Sequence, residues 1–523
     1  MRHGPGIHRS PMSTAPTPLP EDPATLQHRL LEAQAEITRL QMLIAGLLRY
    51  RFGRRSEQLS DAALDQGIED LEQSLAEQTT KIEAAQPVAR ATPPKRNRGA
   101  LPADLPRVQV VVDVPDKTCP CCGAPLHVIG EDRVEMLDHV PDQFRVQVIR
   151  RPRYGCRVCE QAVAQAPAPE RPIDGGMATE GLLAHVLVSK YADHLPLYRQ
   201  AQIFARQGMT LDRSTLCNWV GRACWWLEPL HALILSTVLS SPKVAADDTT
   251  MPVLDPGRGR TKTGRLWCYA TDNRPWSGPG HPAAAYVYSE DRKGEHPATH
   301  LQGFQGLLQV DGYAGFGQVK CATNQPPRLA FCWAHARRKF YDVHVATKSP
   351  IAHEALQRIG ALYAIESDIS GRSADDRQHE RQQRSRPLIE TLQVWLQEQL
   401  GRLSGRSKLA QAIRYTFNHW EGLIRFLDDG RLELDTNIVE RAMRPIALGR
   451  KNALFAGADS GGRHWSIVST LIQTAKLNNV EPLAWLTDVL KRMVSGQTKR
   501  HELDQLLPWN WKPLNGLQTI SSA

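Results

Sequence analysis

Two Cys-x-x-Cys pairs constrain this chain more than any other stretch. Cys119 and Cys122 stand in CPCCG, Cys156 and Cys159 in YGCRVCE, and 33 residues separate the pairs. Tetrahedral Zn2+ is held by four thiolates delivered as two close pairs, because ring closure through one ion needs about two intervening residues. The two turns must therefore meet in space, with Cys121 left over. The intervening DRVEMLDHVPDQFRVQVIRRPRY alternates apolar and polar residues, which predicts a two- or three-stranded ribbon. It carries Arg145, Arg150, Arg151 and Arg153, so a basic ribbon is expected. Four thiolates leave no position for substrate, and the zinc is expected to be structural.

The rest of the chain is too long for one core. At 523 residues it predicts three to four domains, and its net charge of +9 favours a polyanionic partner. No run approaches the length of an apolar membrane span, and the Pro-rich start lacks a signal-peptide core. A soluble cytoplasmic protein without membrane contact is expected. Ten cysteines in that compartment read as metal ligands or small buried residues rather than disulfides.

In order, residues 1–22 are rich in Pro, Ser and Thr and are expected to be disordered. A coiled-coil region is expected over 23–80, where Leu26, Leu30, Ala33, Ile37, Leu40, Ile44 and Leu47 recur at alternating spacings of four and three. That stripe either packs on its own protein or self-associates; the flanking sequence offers little else to cover it, which favours a homo-oligomer. FGRRSEQL (52–59) and a second helical stretch follow. Over 81–107 a Pro- and Arg-rich linker carries Lys95, Arg96 and Arg98, which either solubilise it or touch phosphate. The zinc-binding domain is assigned to 108–172.

Helical patterning over 173–240 gives three helices, with Gly208 ending the second. Arg213, Ser214, Thr215 and Asn218 open the third, as in a helix-turn-helix, so Arg213 and Asn218 are candidate DNA contacts. The same pattern also suits an ordinary packed helical domain. After Pro242 the pattern turns to strands: KVAADDTTMPVL, TGRLWCYATDN, AAAYVYSED, LLQVDGYAGF and the start of RLAFCWAHARRKF. Asp247 follows an apolar strand start and Asp311 ends another. A helix-rich stretch of some ninety residues leads to DTNIVERAMRPIALGRKNALF.

In that stretch Asn437, Glu440, Arg441 and Arg444 share one helix face, while Ile438, Val439, Ala442 and Met443 take the other. Asp435 is expected as N-cap and Pro445 is expected to end or kink the helix. Alone, this reads as a solvated face with a Glu440–Arg444 pair. An Asp on an early strand, an Asp on a later strand and a Glu on a following helix are, however, what a ribonuclease-H-like domain uses to hold two Mg2+ ions for phosphoryl transfer.

Taken together, FGRRSE, the two cysteine knuckles, KYADHLPLYRQ, ADDTTMPVL with PGRGRTKTGRLW, VDGYAGF, CWAHARRKF, NIVERAMRPIALGRKNALF, TAKLNNVEPLAWLTDVL and LLPWNW make the chain resemble the transposases of the insertion sequence sixty-six family, in order and over most of its length. The resemblance implies a multidomain α+β DDE transposase that cuts element ends and joins 3′-hydroxyls to target DNA. Asp247, Asp311 and Glu440 would be its triad with Mg2+ or Mn2+, spaced 64 and 129 residues apart. The catalytic domain would cover 241–470, with a helical insertion at about 345–430, and a small helical region would follow at 471–523. The family's Ala-Asp-Glu-Thr is Ala246-Asp247-Asp248-Thr249 here, and alignment of the motif selects Asp247 as the ligand. The family's Asp-Asn-Asn is Asp435-Thr436-Asn437.

Arg441, Arg444, Arg450, Lys451, Arg337 and Arg338 are candidate phosphate contacts, with Lys339 beside them. Cys332 and His335 offer a metal-ligand spacing, but without a second pair nearby they read as core. Small accessory proteins of the same element and association with the bacterial nucleoid also follow from the resemblance. The upstream modules alone would equally serve a catalytically inactive zinc-containing DNA-binding protein or repressor.

Overall fold

The computed structural model describes residues 30–41, 72–82 and 101–513, apart from 102, 104, 141–142, 161, 256–259 and 320–326. The expected disordered start, the 52–59 segment, Leu26, Ile44, Leu47, Lys95, Arg96 and Arg98 lie outside the described residues. Helix α1 (30–41) buries Leu40 and half-buries Leu30, Ala33 and Ile37, the expected stripe. Helix α2 (72–82) is bound to the body of the protein. Its Glu77 accepts a 2.7 Å hydrogen bond from His464 and lies 2.6 Å from Lys81. Gly221 approaches it so closely that a Cβ there would stand 1.9 Å from the Gln73 carbonyl oxygen.

The zinc-binding region is a sheet of β1 (Arg107–Val111), β2 (His127–Val140), β3 (Gln143–Gly155) and β4 (Val163–Gln165), with β3 paired to all three others. The expected basic face is neutralised by register. Asp132 sits opposite Arg151, and β2 carboxylates bind Arg150 through Glu131 at 2.8 Å, Arg151 through Asp132 at 2.7 Å, Arg153 through Asp132, and Arg145 through Asp138 at 2.5 Å.

Three helices follow: α3 (Glu180–Tyr191), α4 (Leu197–Arg206) and α5 (Arg213–Leu239). After α4, Gly208 adopts φ +83°, a conformation glycine takes without a Cβ clash, and the next amide closes onto Phe204. At 27 residues, α5 is longer than a recognition helix needs, and it buries Leu216, Trp219, Val220, Leu227, Leu230 and Ile234 in the main core.

The second sheet has five strands in the order β7-β6-β5-β8-β9: β5 (Lys243–Asp255), β6 (Arg260–Thr271), β7 (Ala283–Ser289), β8 (Leu307–Val310) and β9 (Arg328–Phe331), with α6 (Glu295–His300) between β7 and β8. The β5–β6 and β6–β7 pairs are antiparallel, the β5–β8 and β8–β9 pairs parallel. Six helices follow: α7 (Trp333–Thr347), α8 (Pro350–Asp368), α9 (Ala374–Glu380), α10 (Arg386–Arg402), α11 (Lys408–Asn418) and α12 (Trp420–Ile424); all but α9 contribute to a second core around Trp333, Phe340, Ile359, Leu392 and Ile413, which Leu307 of β8 and Ala330 of β9 join.

Helix α13 (Asn437–Gly449) returns to the sheet, followed by α14 (Asp459–Leu477) and α15 (Pro482–Val494). α14 runs unbroken through residue 470 and covers the edge strand β7. Its Thr470 and Thr474 hydroxyls accept the amides of Tyr286 and Ala284, which an exposed edge would leave unpaired. At the C-terminal end Trp485 donates to the Leu506 carbonyl and Trp511 to Asp488. Among the described residues no helix is long and apolar enough to cross a membrane.

Candidate active site and metal centre

Strands β5 and β8 run parallel with Ala245 opposite Gln309. Asp247 follows two residues further along β5 and Asp311 stands one residue past the end of β8, so the two carboxylates come off neighbouring strands in the same direction. Burial, with the negative charge of Asp311 next, pushes the Asp247 carboxyl up to about 7. Asp311 is tied down by its own turn, accepting from the Tyr313 amide at 2.9 Å, and Arg292 stands 4.0 Å away.

The two adjacent aspartates differ sharply in their partners. The Asp248 side chain is 1% exposed and is held by Arg265 at 2.9 Å and Arg292 at 2.8 Å. Asp247 accepts the Asp248 amide at 2.7 Å through one oxygen, which leaves further carboxylate lone pairs for a cation. Arg292 also lies over the Tyr313 ring at 4.2 Å. Neither Arg265 nor Arg292 was an expected site residue; Arg265 sits within the neighbouring strand β6 and Arg292 three residues past β7.

Glu440 arrives by tethers at both ends of its helix. Before α13, the Glu433 carbonyl accepts from Gln309 of β8 at 2.6 Å and the Leu434 carbonyl from the Trp333 amide at 2.8 Å. After it, Ala456 pairs with β5 through amide bonds to Pro252 and Leu254. Within the helix, Val439, Ala442, Met443 and Ile446 join the main core, and Tyr286 donates to the Ala442 carbonyl at 2.6 Å. Asn437, Glu440, Arg441 and Arg444 are exposed, so the expected division of faces holds.

Two local expectations are corrected. Thr436, not Asp435, occupies the N-cap position, and Asp435 supplies a carboxylate one residue earlier, accepting from the Asn437 amide at 3.2 Å. Pro445 does not end the helix, which continues to Gly449. Losing one amide bond there is outweighed by the burial of Ile446 and Gly449 beyond it.

Cys332 and His335 are not simply core. Together with Glu440 they form a group whose ligand atoms all lie within 4.8 Å of one another. The hydrogen bond to Cys332, acting against burial and joined by the charges of Asp311 and Glu440, holds the His335 imidazole up at about 9. His335 therefore senses Asp247, Asp311 and Glu440 together. The three carboxylates themselves are not gathered within 4.8 Å as one group among the described residues.

Of the expected DNA contacts, Arg337, Arg338, Arg441, Arg444 and Lys451 are exposed, on α7, on α13 and just beyond it. Arg450 donates instead to the carbonyl and hydroxyl of Thr250, and Arg213 faces Glu72 at 3.8 Å, with Asn218 half-buried.

At the other end of the chain the four knuckle cysteines converge. Cys119 and Cys159 sulfurs lie 3.4 Å apart and those of Cys122 and Cys156 3.6 Å apart. A zinc ion with bonds of about 2.3 Å needs sulfurs roughly 3.8 Å apart, so the donor set fits. The knuckles repeat one another: Gly123 and Glu160 each take a left-handed φ, +70° and +52°, and return an amide to the carbonyl of Cys119 and Cys156 respectively. Cys121 is exposed outside the set. The four-cysteine cluster is a structural zinc site.

Known families match the chain along most of its length. The family model described as "Transposase IS66 family" matches residues 175–464, "IS66 C-terminal element" matches 470–509, "zinc-finger binding domain of transposase IS66" matches 116–160, and "Transposase C of IS166 homeodomain" matches 39–110. Among curated relatives, "Uncharacterized protein y4jD" of Sinorhizobium fredii (strain NBRC 101917 / NGR234) is 46% identical over 96% of this chain and 98% of its own length. "Uncharacterized protein y4qI" of the same organism is 42% identical over 92% of this chain and 90% of its own length. "Uncharacterized protein y4hP", also from it, is 39% identical over 93% and 91%.

Proposed function

The chain belongs to the IS66 transposase family, and from that premise we propose that it is an active DDE transposase, cleaving DNA at insertion-sequence ends and transferring the freed 3′-hydroxyls into target DNA. The observation that carries the proposal is the placement of Asp247 on β5 and Asp311 just past the end of the parallel strand β8, with Glu440 on a helix tied to the same strands. The strand order supports a ribonuclease-H-like catalytic domain: three antiparallel strands, then two parallel ones on the far side of the first.

Asp247, Asp311 and Glu440 would hold Mg2+ or Mn2+. Such ions would supply positive charge at the attacking and the leaving oxygen of an in-line displacement. The raised Asp247 carboxyl supports the assignment, since a buried carboxylate beside another is a site lacking positive charge. Asp248, already neutralised by Arg265 and Arg292, is the less suitable ligand.

In end cleavage, the water oxygen bonds to phosphorus as the 3′-oxygen leaves with a proton. In transfer, that 3′-hydroxyl attacks a target phosphodiester and displaces its 3′-oxygen. The chain's own part is to orient the phosphate: Arg441, Arg444 and Lys451 from α13 and its end, and Arg337 and Arg338 from α7, present exposed cations for the backbone. Arg213, Asn218 and Arg450 belong to the same proposal with donors partly committed within the protein. Self-association through α1, accessory proteins of the same element, a nucleoid-associated location and the division into the regions given above complete it.

Strand-transfer assays on supercoiled DNA carrying element ends test the proposal. Nicking and joining with Mg2+ should be lost in Asp247→Ala, Asp311→Ala and Glu440→Ala. Binding without nicking by the wild type would favour a repressor, and cutting without preference for ends a general nuclease. Full activity in all three variants would overturn the triad.

A further inference from the structure

The meeting of Cys332, His335 and Glu440 is more than the proposed triad needs. Cys332 closes β9 and caps α7, and His335 follows one turn into that helix, a spacing that turns both side chains to one side. Their third partner comes from far along the chain. The Trp333 amide bonds the Leu434 carbonyl, which fixes the start of α13 beside Cys332 and delivers Glu440 to within 4.8 Å of both.

Chemically, the set is a thiol, an imidazole and a carboxylate. Magnesium prefers oxygen donors in octahedral array and does not select a thiolate; zinc-class ions accept sulfur, nitrogen and oxygen at one centre. The His335 Nδ1 is buried and has no hydrogen-bond partner, a cost that folded proteins seldom leave unmet. Three protein ligands leave a fourth position open, as in reactive rather than structural zinc sites.

We propose that Cys332, His335 and Glu440 form a second metal site, separate from the cysteine knuckles, that binds a borderline-soft divalent cation of the zinc class. Binding releases the thiol proton and any imidazole proton, since thiolate and neutral imidazole are the ligating forms. Glu440 is shared with the proposed magnesium triad. Resting on that reading, zinc held here withdraws Glu440 from magnesium and inhibits strand transfer.

Metal counting on full-length protein tests the site without relying on activity. Stripped protein is dialysed against buffered zinc and analysed for metal, with circular dichroism as a fold check. The wild type should bind about two zinc ions per chain, one of them by the four-thiolate argument. Cys332→Ser and His335→Gln should each keep about one, and Asp247→Ala about two, so that failure of the triad leaves this result untouched. Should the Cys332 variant fail to fold, its side chain being buried, His335→Gln decides. About one zinc in the wild type, or about two in His335→Gln, would overturn the site.

Discussion

Glu440 owes its position to a clamp some distance from it. Arg377 and Arg381, 1% and 0% exposed, both reach Glu366 of α8. Arg381 places all five of its N–H groups: Nε and Nη2 on Glu366 at 2.7 and 2.6 Å, and the rest on the carbonyls of Phe426, Asp429 and Leu432 at 2.9, 3.1 and 2.7 Å. Arg377 adds a bond to the Leu432 carbonyl at 3.3 Å. The path from Phe426 to Leu434 that feeds α13 therefore hangs on two buried cations, both paired with Glu366, and Glu433 on that path adds a second carboxylate 2.8 Å from Arg377. Glu366→Ala leaves Arg381 uncompensated and Arg377 with Glu433 alone, a loss of about 3–5 kcal/mol. At about 1.4 kcal/mol per decade, amide exchange over residues 426–436 should quicken by roughly a hundred- to a few thousand-fold, while exchange in β2 and β3 stays as it was. Hydrogen-exchange mass spectrometry reads both regions in one experiment. Replacing the pair together, Glu366→Leu with Arg381→Met, should recover part of the loss, because the buried charge goes with its partner. Exchange within about threefold of wild type in Glu366→Ala would refute the clamp.

Asp247→Asn should abolish strand transfer while leaving thermal stability equal or higher, since a buried repelled carboxylate is removed; Asp248→Asn should instead cost about 1.5–3 kcal/mol by leaving Arg265 and Arg292 underpaired, seen as a lowered melting temperature. Cys119→Ser should remove about one zinc per chain and expose 116–160 to protease, with the five-stranded sheet unaffected. Burial raises the Glu77 carboxyl, but Lys81 and the hydrogen bond from His464 outweigh it and hold the group below its ordinary value. A depressed carboxyl contributes stability that is complete above its unfolded pKa of about 4.3 and fades as pH falls below it. Docking of α2, followed by exchange over 72–82, should weaken below about pH 4 in the wild type and show a flatter pH response in Glu77→Gln.

How much of this could be read from the chain depends on how far each partner lay. Cys119 and Cys122, like Cys156 and Cys159, stand within one turn of each other, and the chemistry of a single ion dictates that spacing whatever the fold. The face division of α13 was legible for the same reason, since helix period alone separates Glu440 from Val439 and Met443. Cross-strand register was not legible, so Arg150, Arg151 and Arg153 read as a free basic face when each meets a β2 carboxylate. The choice between Asp247 and Asp248 needed the partners of each, and those arginines come from β6 and from beyond β7. Cys332 and His335 looked incomplete because their third partner lies far along the chain, on a helix tethered at both ends to the strands. The burial that carries α13 past Pro445 is likewise a property of the assembled core.

The helical stretch between β9 and α13 shows why such distant residues can still be placed with care. Its core is largely its own, joined to the sheet through Leu307 of β8 and Ala330 of β9. Its two ends meet at a narrow neck: Trp333 binds Leu434, Gln309 binds Glu433, and buried Lys243 at the start of β5 donates to the Arg431 carbonyl at 3.0 Å. Once those ends are joined, lengthening the loop between them adds only about 0.6 kcal/mol of closure entropy per doubling. The position of Glu440 is then set by the neck and by the bonds from Ala456 to β5, not by the length of the helices outside it. Within those helices the chemistry constrains Glu366, Arg377 and Arg381, which hold the path into α13, and Tyr415, which donates to the Asp311 carbonyl at 3.0 Å; together with the strands, the neck and α13 they form the part of this chain whose geometry the site requires.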